Sequence, residues 1–144
     1  NILKTEGIVA QLSLDSETIR NFSKYAGTEL PDLGPLKANA SLESQGETYR
    51  ITTLKLNLDD ATLKADMVAS IADILALTGV EAEVNARVDS LDSLSELAQT
   101  ELPETDPVIA NITLSEDKAK KPTFVIHAET GEARVDINGS LASL

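Results

Sequence analysis

The sequence predicts a mainly β fold: an antiparallel, strongly bent repeat sheet that forms an open groove, with one short helix in each unit of about 72 residues. Three observations support this fold class. Apolar and polar residues alternate with period two in several segments, the connectors between these segments are short and polar, and one half of the chain repeats the other. Period-two alternation is typical of strands with one wet and one dry face, and short connectors favour antiparallel hairpins.

The repeat is clearest between segments 28–42 and 100–114. Each contains Thr-Glu-Leu-Pro, a second proline four residues after the first, and an Ala-Asn pair, and all of these lie 72 residues apart. We therefore interpret 1–144 as a single repeat-type domain, with unit one at about 7–78 and unit two at about 79–144. Repeated units bury apolar surface by stacking on their neighbours, and their function usually lies in the extended surface of the array. We expect the chain to be a fragment of a longer tandem array.

The alternating segments predict the strands. The clearest is Val80–Val88, in which apolar and polar residues alternate without a break. The same pattern occurs in 8–14, 36–42, 54–58 and 133–138. Across Thr52-Thr53 the apolar positions change parity, which predicts a β-bulge that bends the strand. Segment 72–78 fits either a helical turn or a connection between strands.

One short helix is predicted in each unit, near 16–26 and near 90–99. An Asp-Ser pair precedes each helix and offers candidate N-caps, and Pro31 and Pro103 stop the helices. Apolar residues at helical spacing predict one stripe per helix. The stripes contain Ile19, Phe22 and Tyr25 in the first helix, and Leu91, Leu94 and Leu97 in the second.

Composition argues against several classes of function. Twelve Lys and Arg against 24 Asp and Glu give a net charge of −12. This is the wrong sign for neutralising phosphates, so we predict no nucleic-acid partner. The chain has no cysteines, which excludes disulfides, thiol catalysis and thiolate metal sites. Aromatic residues make up 3% of the chain, so flat platforms for sugars or single-stranded nucleic acids are almost absent.

The sequence contains no motif that predicts catalysis. His127 is the single histidine, and its parity places it on the polar face of its strand, where a solvated histidine is the better interpretation. No phosphate loop, dinucleotide fingerprint or calcium loop occurs, and no nucleophile–base pair is visible. We therefore expect no catalytic residues, no metal site and no cofactor, and we predict that the protein is not an enzyme.

The aliphatic face of the predicted sheet is the remaining candidate for function. One short helix per unit is too small to cover four or more strands, so the face must dimerise, fold on itself or hold something apolar. Acyl chains suit a lining of Leu, Ile, Val and Ala, because such contact is non-directional and scales with area. The residues predicted to line a lipid groove share parity in the cleanest strands. They are Leu54, Leu56, Leu58, Val84, Ala86, Val88, Val135 and Ile137.

The first unit resembles the repeating unit of the AsmA family. A short helix runs into Thr-Glu-Leu-Pro-Asp-Leu-Gly-Pro-Leu-Lys-Ala-Asn-Ala-Ser-Leu at 28–42, and the strand segments 49–51, 54–58 and 61–65 follow. The resemblance rests mainly on the Leu-Pro-x-Leu-Gly-Pro linker and the order of the strands, and it covers nearly the whole chain through both units. Unit two departs from it with Thr-Asp at 105–106 in place of Leu-Gly.

The resemblance implies a location and a function. Members of this family are envelope proteins of Gram-negative bacteria, with an inner-membrane anchor and a long periplasmic β-groove implicated in phospholipid movement and outer-membrane assembly. It therefore implies a periplasmic module that binds or conducts phospholipid or other acyl chains, next to neighbouring repeats and with its membrane anchor outside this fragment. The alternative is a structural or scaffolding β-repeat whose apolar face is a closed core.

Overall fold

Eight strands form one antiparallel sheet in the computed structural model, which describes residues 7–117 and 119–141. Each strand pairs with the next one along the chain, and the sheet is not closed. The predicted mainly β, antiparallel, open sheet is confirmed. The strands are β1 (Val9–Ser16), β2 (Leu36–Gln45), β3 (Thr48–Asp59), β4 (Leu63–Asp73), β5 (Thr78–Val88), β6 (Val108–Glu116), β7 (Pro122–Thr130) and β8 (Ala133–Ser140).

Two short helical segments lie in the connections β1–β2 and β5–β6, at the same end of the strands. The first is a 3-10 turn, Ile19–Phe22, followed by α1 (Ser23–Ala26). The second is a 3-10 turn, Leu91–Leu94, followed by α2 (Ser95–Ala98). The order strand, helical segment, three strands therefore occurs twice, and the two helical segments are 72 residues apart. Residues 142–144 of the predicted second unit lie outside the described residues.

The helical segments differ from the prediction at their start and in their apolar stripe. Ser16 still belongs to β1, and the first segment is capped by Thr18, whose Oγ1 accepts a hydrogen bond from Arg20 N at 3.2 Å. The prediction that Tyr25 joins an apolar stripe is wrong, because this residue is 83% exposed. A 3-10 turn has three residues per turn and the α-helical part is one turn long, so the spacing of a regular α-helix is not maintained.

The predicted bulge in β3 is confirmed. Ser41 pairs with Thr53, but the next residue, Leu42, pairs with Ile51, so Thr52 is the extra residue. A bulge of this kind bends the strand and increases its twist. The ambiguous segment 72–78 is a tight connection between strands, since β4 continues to Asp73 and β5 begins at Thr78.

Asp60 joins the first Leu-Pro linker to the turn between β3 and β4. Its Oδ1 accepts a hydrogen bond from Gly34 N at 3.0 Å, and its Oδ2 accepts one from Thr62 N at 2.8 Å. These backbone donors, first Gly34 and then Thr62, favour the charged carboxylate and hold the pKa of Asp60 below its usual value of 3.8. The Asp60 side chain therefore holds the linker between the first helical segment and β2 against the β3–β4 turn.

Very little of the apolar surface is fully enclosed. Val88, the last residue of β5, is 5% exposed, and it is the one apolar residue among the described residues that is buried to this degree. In the part of the chain that the structure describes, no helix has the length and apolar character needed to cross a bilayer. The sheet is therefore held together mainly by its seven strand pairs rather than by a deep core.

We expect Asp60→Ala to lower the free energy of unfolding by about 1–2 kcal/mol at neutral pH, because two backbone N–H groups lose a charged acceptor. Urea denaturation followed by circular dichroism measures this difference. A folded-state pKa below the unfolded value means that the carboxylate stabilises the fold above pH 3.8 and that this stabilisation is lost as the pH falls through the folded-state pKa. The wild type and the variant should therefore converge in acid.

The neighbouring Asp59→Ala is the matched control. Asp59 is exposed and pairs with Lys64 at 2.9 Å, and removal of such a surface ion pair changes stability much less than removal of the Asp60 carboxylate. Equal losses for the two variants at neutral pH, or a gap for Asp60→Ala that stays constant in acid, would contradict the assigned role of Asp60.

Candidate functional site

The strand register places apolar side chains from all eight strands on one face of the sheet, which we call the apolar face. Cross-strand partners continue from each strand to the next, so the face can be followed in rows that run across the sheet. The central row consists of Leu14, Ala38, Leu56, Met67, Val84, Ile112, Ile126 and Ile137. Neighbouring strands are about 4.8 Å apart, so this row extends over about 34 Å.

All eight predicted lining residues lie on the apolar face. Three of them, Leu56, Val84 and Ile137, occupy the central row. Leu54, Leu58, Ala86 and Val135 lie in the two adjacent rows, and Val88 lies one row further on. The register thus brings residues from β3, β5 and β8 onto one continuous surface, although these strands are not neighbours in the sheet.

The prediction missed the residues of β4, β6 and β7 that complete this surface. In β4, Met67 lies on the apolar face, but the adjacent Val68 points to the other face and hides the alternation. In β7 the run Phe124–Ile126 is apolar throughout. The polar His127 was the available signal in β7. Because neighbouring residues of a strand point to opposite faces, a polar His127 assigns Ile126 to the apolar face.

Four alanines form a row of small side chains on the apolar face. They are direct cross-strand neighbours on β4, β5, β6 and β7, namely Ala65, Ala86, Ala110 and Ala128. Larger side chains stand on both sides of this alanine row, with Met67 and Val84 in the central row and Leu63 and Val88 toward the end of the strands where the helical segments lie. The alanine row is therefore a shallow apolar trough that crosses the strands over about 14 Å.

The apolar face has no cover within the described residues. Apart from Val88, its side chains are half-buried or exposed. Exposure is greatest in the two edge strands, where Leu12 is 60% and Val135 is 51% exposed. Ordinary proteins expose scattered single apolar residues, whereas here the exposed apolar residues form one contiguous patch. Large contiguous patches of this kind mark interaction sites.

The opposite face of the sheet, which we call the polar face, is a hydrogen-bonded ladder. Asn57 Nδ2 donates to Asp66 Oδ1 at 2.5 Å, and Asn111 Nδ2 donates to Asn85 Oδ1 at 2.7 Å. His127 lies on this face and its Nδ1 contacts Asp136 Oδ1, so its predicted placement is confirmed. The described residues contain no cluster of three or more His, Cys, Asp or Glu side chains arranged to hold a metal ion.

Two hollows lie away from the apolar face. One, of about 380 Å³, lies between the two helical segments, where Arg20, Glu29, Asp32 and Glu96 line it. The other, of about 420 Å³, surrounds Val68 among threonine, serine and glutamate side chains. The first hollow has a mainly polar lining, and the second lies on the opposite face of the sheet with glutamate, serine and threonine side chains around Val68, so neither is continuous with the apolar face.

Comparison with known proteins identifies no relative of this chain. No protein family, no curated protein and no solved structure matches it. The functional assignment therefore depends on the chemistry of the two faces and the edges of the sheet.

Cysteine labelling tests whether the apolar face is open in solution. Because the chain has no cysteine, single substitutions report one position each. We expect Leu56→Cys to react with a maleimide within about tenfold of Lys55→Cys, its neighbour on the polar face, when both rates are normalised to the denatured chain. Val88→Cys should be protected by a further factor of at least about ten. Equal protection of Leu56→Cys and Val88→Cys would show that the face is covered.

Proposed function

We propose that this chain is a non-enzymatic lipid-binding module whose apolar face binds or conducts the acyl chains of phospholipids. One observation supports the proposal above all others: an aliphatic face that extends across eight strands has no cover within the described residues. Such a surface is stable in water when an apolar ligand or partner occupies it, since each Å² of apolar contact contributes about 25 cal/mol.

The dimensions of the alanine row fit one acyl chain. A bilayer core of about 30 Å contains two acyl chains end to end, so one chain is about as long as the roughly 14 Å trough. The trough is lined by methyl groups and flanked by Met67, Val84, Leu63 and Val88, which would contact the sides of an extended hydrocarbon. A contact made of aliphatic side chains alone selects for length and width rather than for a head group.

The remaining steps of the proposal extend from the resemblance to AsmA-family proteins. In this proposal the module lies in the periplasm of a Gram-negative cell, next to neighbouring repeats of a full-length protein that is anchored in the inner membrane. Its role is lipid transport between the inner and outer membranes in envelope biogenesis, or support of outer-membrane assembly. The uncovered aliphatic face supports this role because acyl chains can enter an open surface from the side.

The polar chemistry of the chain supports a non-enzymatic role. His127 contacts Asp136, and such a pair could orient a general base. However, its cross-strand neighbour on the other side is Asn111, which is not a nucleophile, and both partners lie on the exposed polar face. An open surface of this kind does not exclude water from a reaction centre.

Binding of a fluorescent fatty-acid analogue to the purified chain tests the proposal. We expect Ala86→Leu to weaken binding about tenfold, because a larger side chain fills the trough and removes on the order of 55 Å² of apolar contact, or about 1.4 kcal/mol. Glu81→Leu adds a leucine to the polar face of the same strand and should bind like the wild type. Fluorescence titration measures the three dissociation constants.

Charge substitutions give a second comparison. Leu56→Glu places a carboxylate on the central row, where contact with hydrocarbon would remove its water, so binding should fall by more than tenfold. Lys55→Glu changes the polar face of the same strand and should leave binding unchanged.

A different result would favour the scaffold alternative. In that case the wild type would bind no analogue and would form a dimer that Leu56→Glu dissociates, because two copies would close their apolar faces on each other. Equal effects of Leu56→Glu and Lys55→Glu on analogue binding would rule out the apolar face as the site.

A further inference from the structure

Both edges of the sheet are strands with a partner on one side. Within the described residues β1 pairs with β2 alone and β8 pairs with β7 alone. An edge strand presents a row of backbone N–H and C=O groups that can pair with another strand. Neither edge is blocked by a proline within its strand or covered by a helical segment, since both helical segments lie in connections at the ends of strands.

The junction between β4 and β5 shows how one unit of this chain joins the next. β5 is the counterpart of β1, because Val88 pairs with Val108 as Ser16 pairs with Leu36, and both residues are displaced by 72. β8 is the counterpart of β4, because it is the fourth strand of its unit and pairs with the third. The edge of β8 is thus equivalent to the edge of β4 that takes β5.

The directions of the backbone groups agree with this equivalence. Leu141 N donates to Pro122 O, so odd-numbered residues of β8 turn their backbone groups toward β7 and even-numbered residues turn theirs outward. Ser44 N donates to Ile8 O, so even-numbered residues of β1 face β2 and odd-numbered residues face outward. The groups available for pairing therefore belong to polar-face residues in both edge strands.

We propose that the edge of β8 pairs with β1 of a second copy of this chain, head to tail, in the register of the β4–β5 junction. By strand register Val135 corresponds to Met67, because the row Ala38–Leu56–Met67 recurs as Ala110–Ala128–Val135. β1 corresponds to β5 at a displacement of 72. Transfer of the pairs Asp66–Asn85, Met67–Val84 and Val68–Glu83 therefore places Arg134 opposite Ser13, Val135 opposite Leu12 and Asp136 opposite Gln11. In this register the outward backbone groups of Arg134 and Asp136 meet those of Ser13 and Gln11. The register from the repeat and the register from the hydrogen bonds are the same.

The side chains at the two edges fit this pairing. Val135 and Ile137 of β8 are 51% and 47% exposed, and Leu12 of β1 is 60% exposed. All three lie on the apolar face, so pairing continues that face from one copy into the next. Because the two edges are different surfaces, the contact is heterologous and leaves one edge open at each end, which allows further copies to add.

The net charge of −12 per chain opposes association at low ionic strength. At about 1 M salt the Debye length is about 3 Å, and repulsion between whole chains is then screened. Edge pairing should therefore become stronger as salt is added, and the experiments below use this condition.

Disulfide cross-linking tests the register directly. Leu12 and Val135 would form a pair without backbone hydrogen bonds, with Cα atoms about 4.5 Å apart, which lies within the range that a disulfide bridges. In one molecule the same residues stand on opposite edges, about 34 Å apart along the rows. Oxidised Leu12→Cys/Val135→Cys should therefore give a ladder of dimers, trimers and larger species on a non-reducing gel.

The matched control is Ser13→Cys/Val135→Cys. Ser13 neighbours Leu12 in the chain but points to the polar face, so this variant should remain monomeric after oxidation. A ladder from the first variant and monomer from the second supports the proposed register. Monomer from both variants, or equal ladders, overturns it.

Proline substitution tests the role of the backbone without cysteines. The N–H of Asn138 points outward, so Asn138→Pro removes a donor from the edge and leaves the β7–β8 pairs intact. We expect it to weaken association at least tenfold in sedimentation equilibrium, while Asn138→Ala, which keeps the N–H, associates like the wild type. Circular dichroism checks that both variants fold. A wild type that stays monomeric at millimolar concentration, or an Asn138→Pro variant that associates like Asn138→Ala, overturns the proposal.

Discussion

A sheet with one apolar face needs a second layer, and every other property of this molecule depends on how that need is met. Stable domains pack a sheet face against helices or against another sheet. In the described part of this chain the available cover is two helical segments, each a 3-10 turn followed by one turn of α-helix. Both lie beyond the ends of β1 and β5, and Val88, the last residue of β5, is the one apolar residue of the described part that is nearly buried. These two segments leave most of the apolar face uncovered.

The apolar face exists because side-chain parity is kept through seven strand pairs. A slip of one residue would turn every side chain of a strand to the other face. Ile51 and Leu54 are three residues apart, so a regular strand would place them on opposite faces. The extra residue Thr52 restores Ile51 to the apolar face, where it pairs with Leu42 on one side and Ile71 on the other. The bulge is thus needed for the surface as well as for the bend.

The fold class, the bulge and the polar placement of His127 could be predicted because each depends on local pattern. Alternation in β5 is unbroken, and the change of parity at Thr52-Thr53 is visible in the sequence. Tyr25 could not be placed in the same way, since its exposure depends on a 3-10 geometry that apolar spacing does not reveal. The alanine row was also hidden. Alanine contributes little to a hydrophobic pattern in the sequence. The row forms only because the strand register places Ala86 next to alanines that are distant in sequence.

The repeat and the rows do not run in the same direction, and this determines the path that an acyl chain would follow. In the central row, Leu14 of β1 lies level with Val84 of β5, whereas the counterpart of Leu14 at a displacement of 72 is Ala86. Equivalent positions therefore shift by two residues, or about 7 Å, for every four strands, or about 19 Å. A hydrocarbon that follows equivalent side chains from unit to unit would cross the rows obliquely. Head-to-tail addition through β8 and β1 would repeat the same shift, because its register is that of β4 and β5. The proposed face binding and edge pairing would use different groups, side chains in one case and backbone in the other. A ligand on the apolar face would therefore stabilise the folded sheet by mass action without competing for its edges.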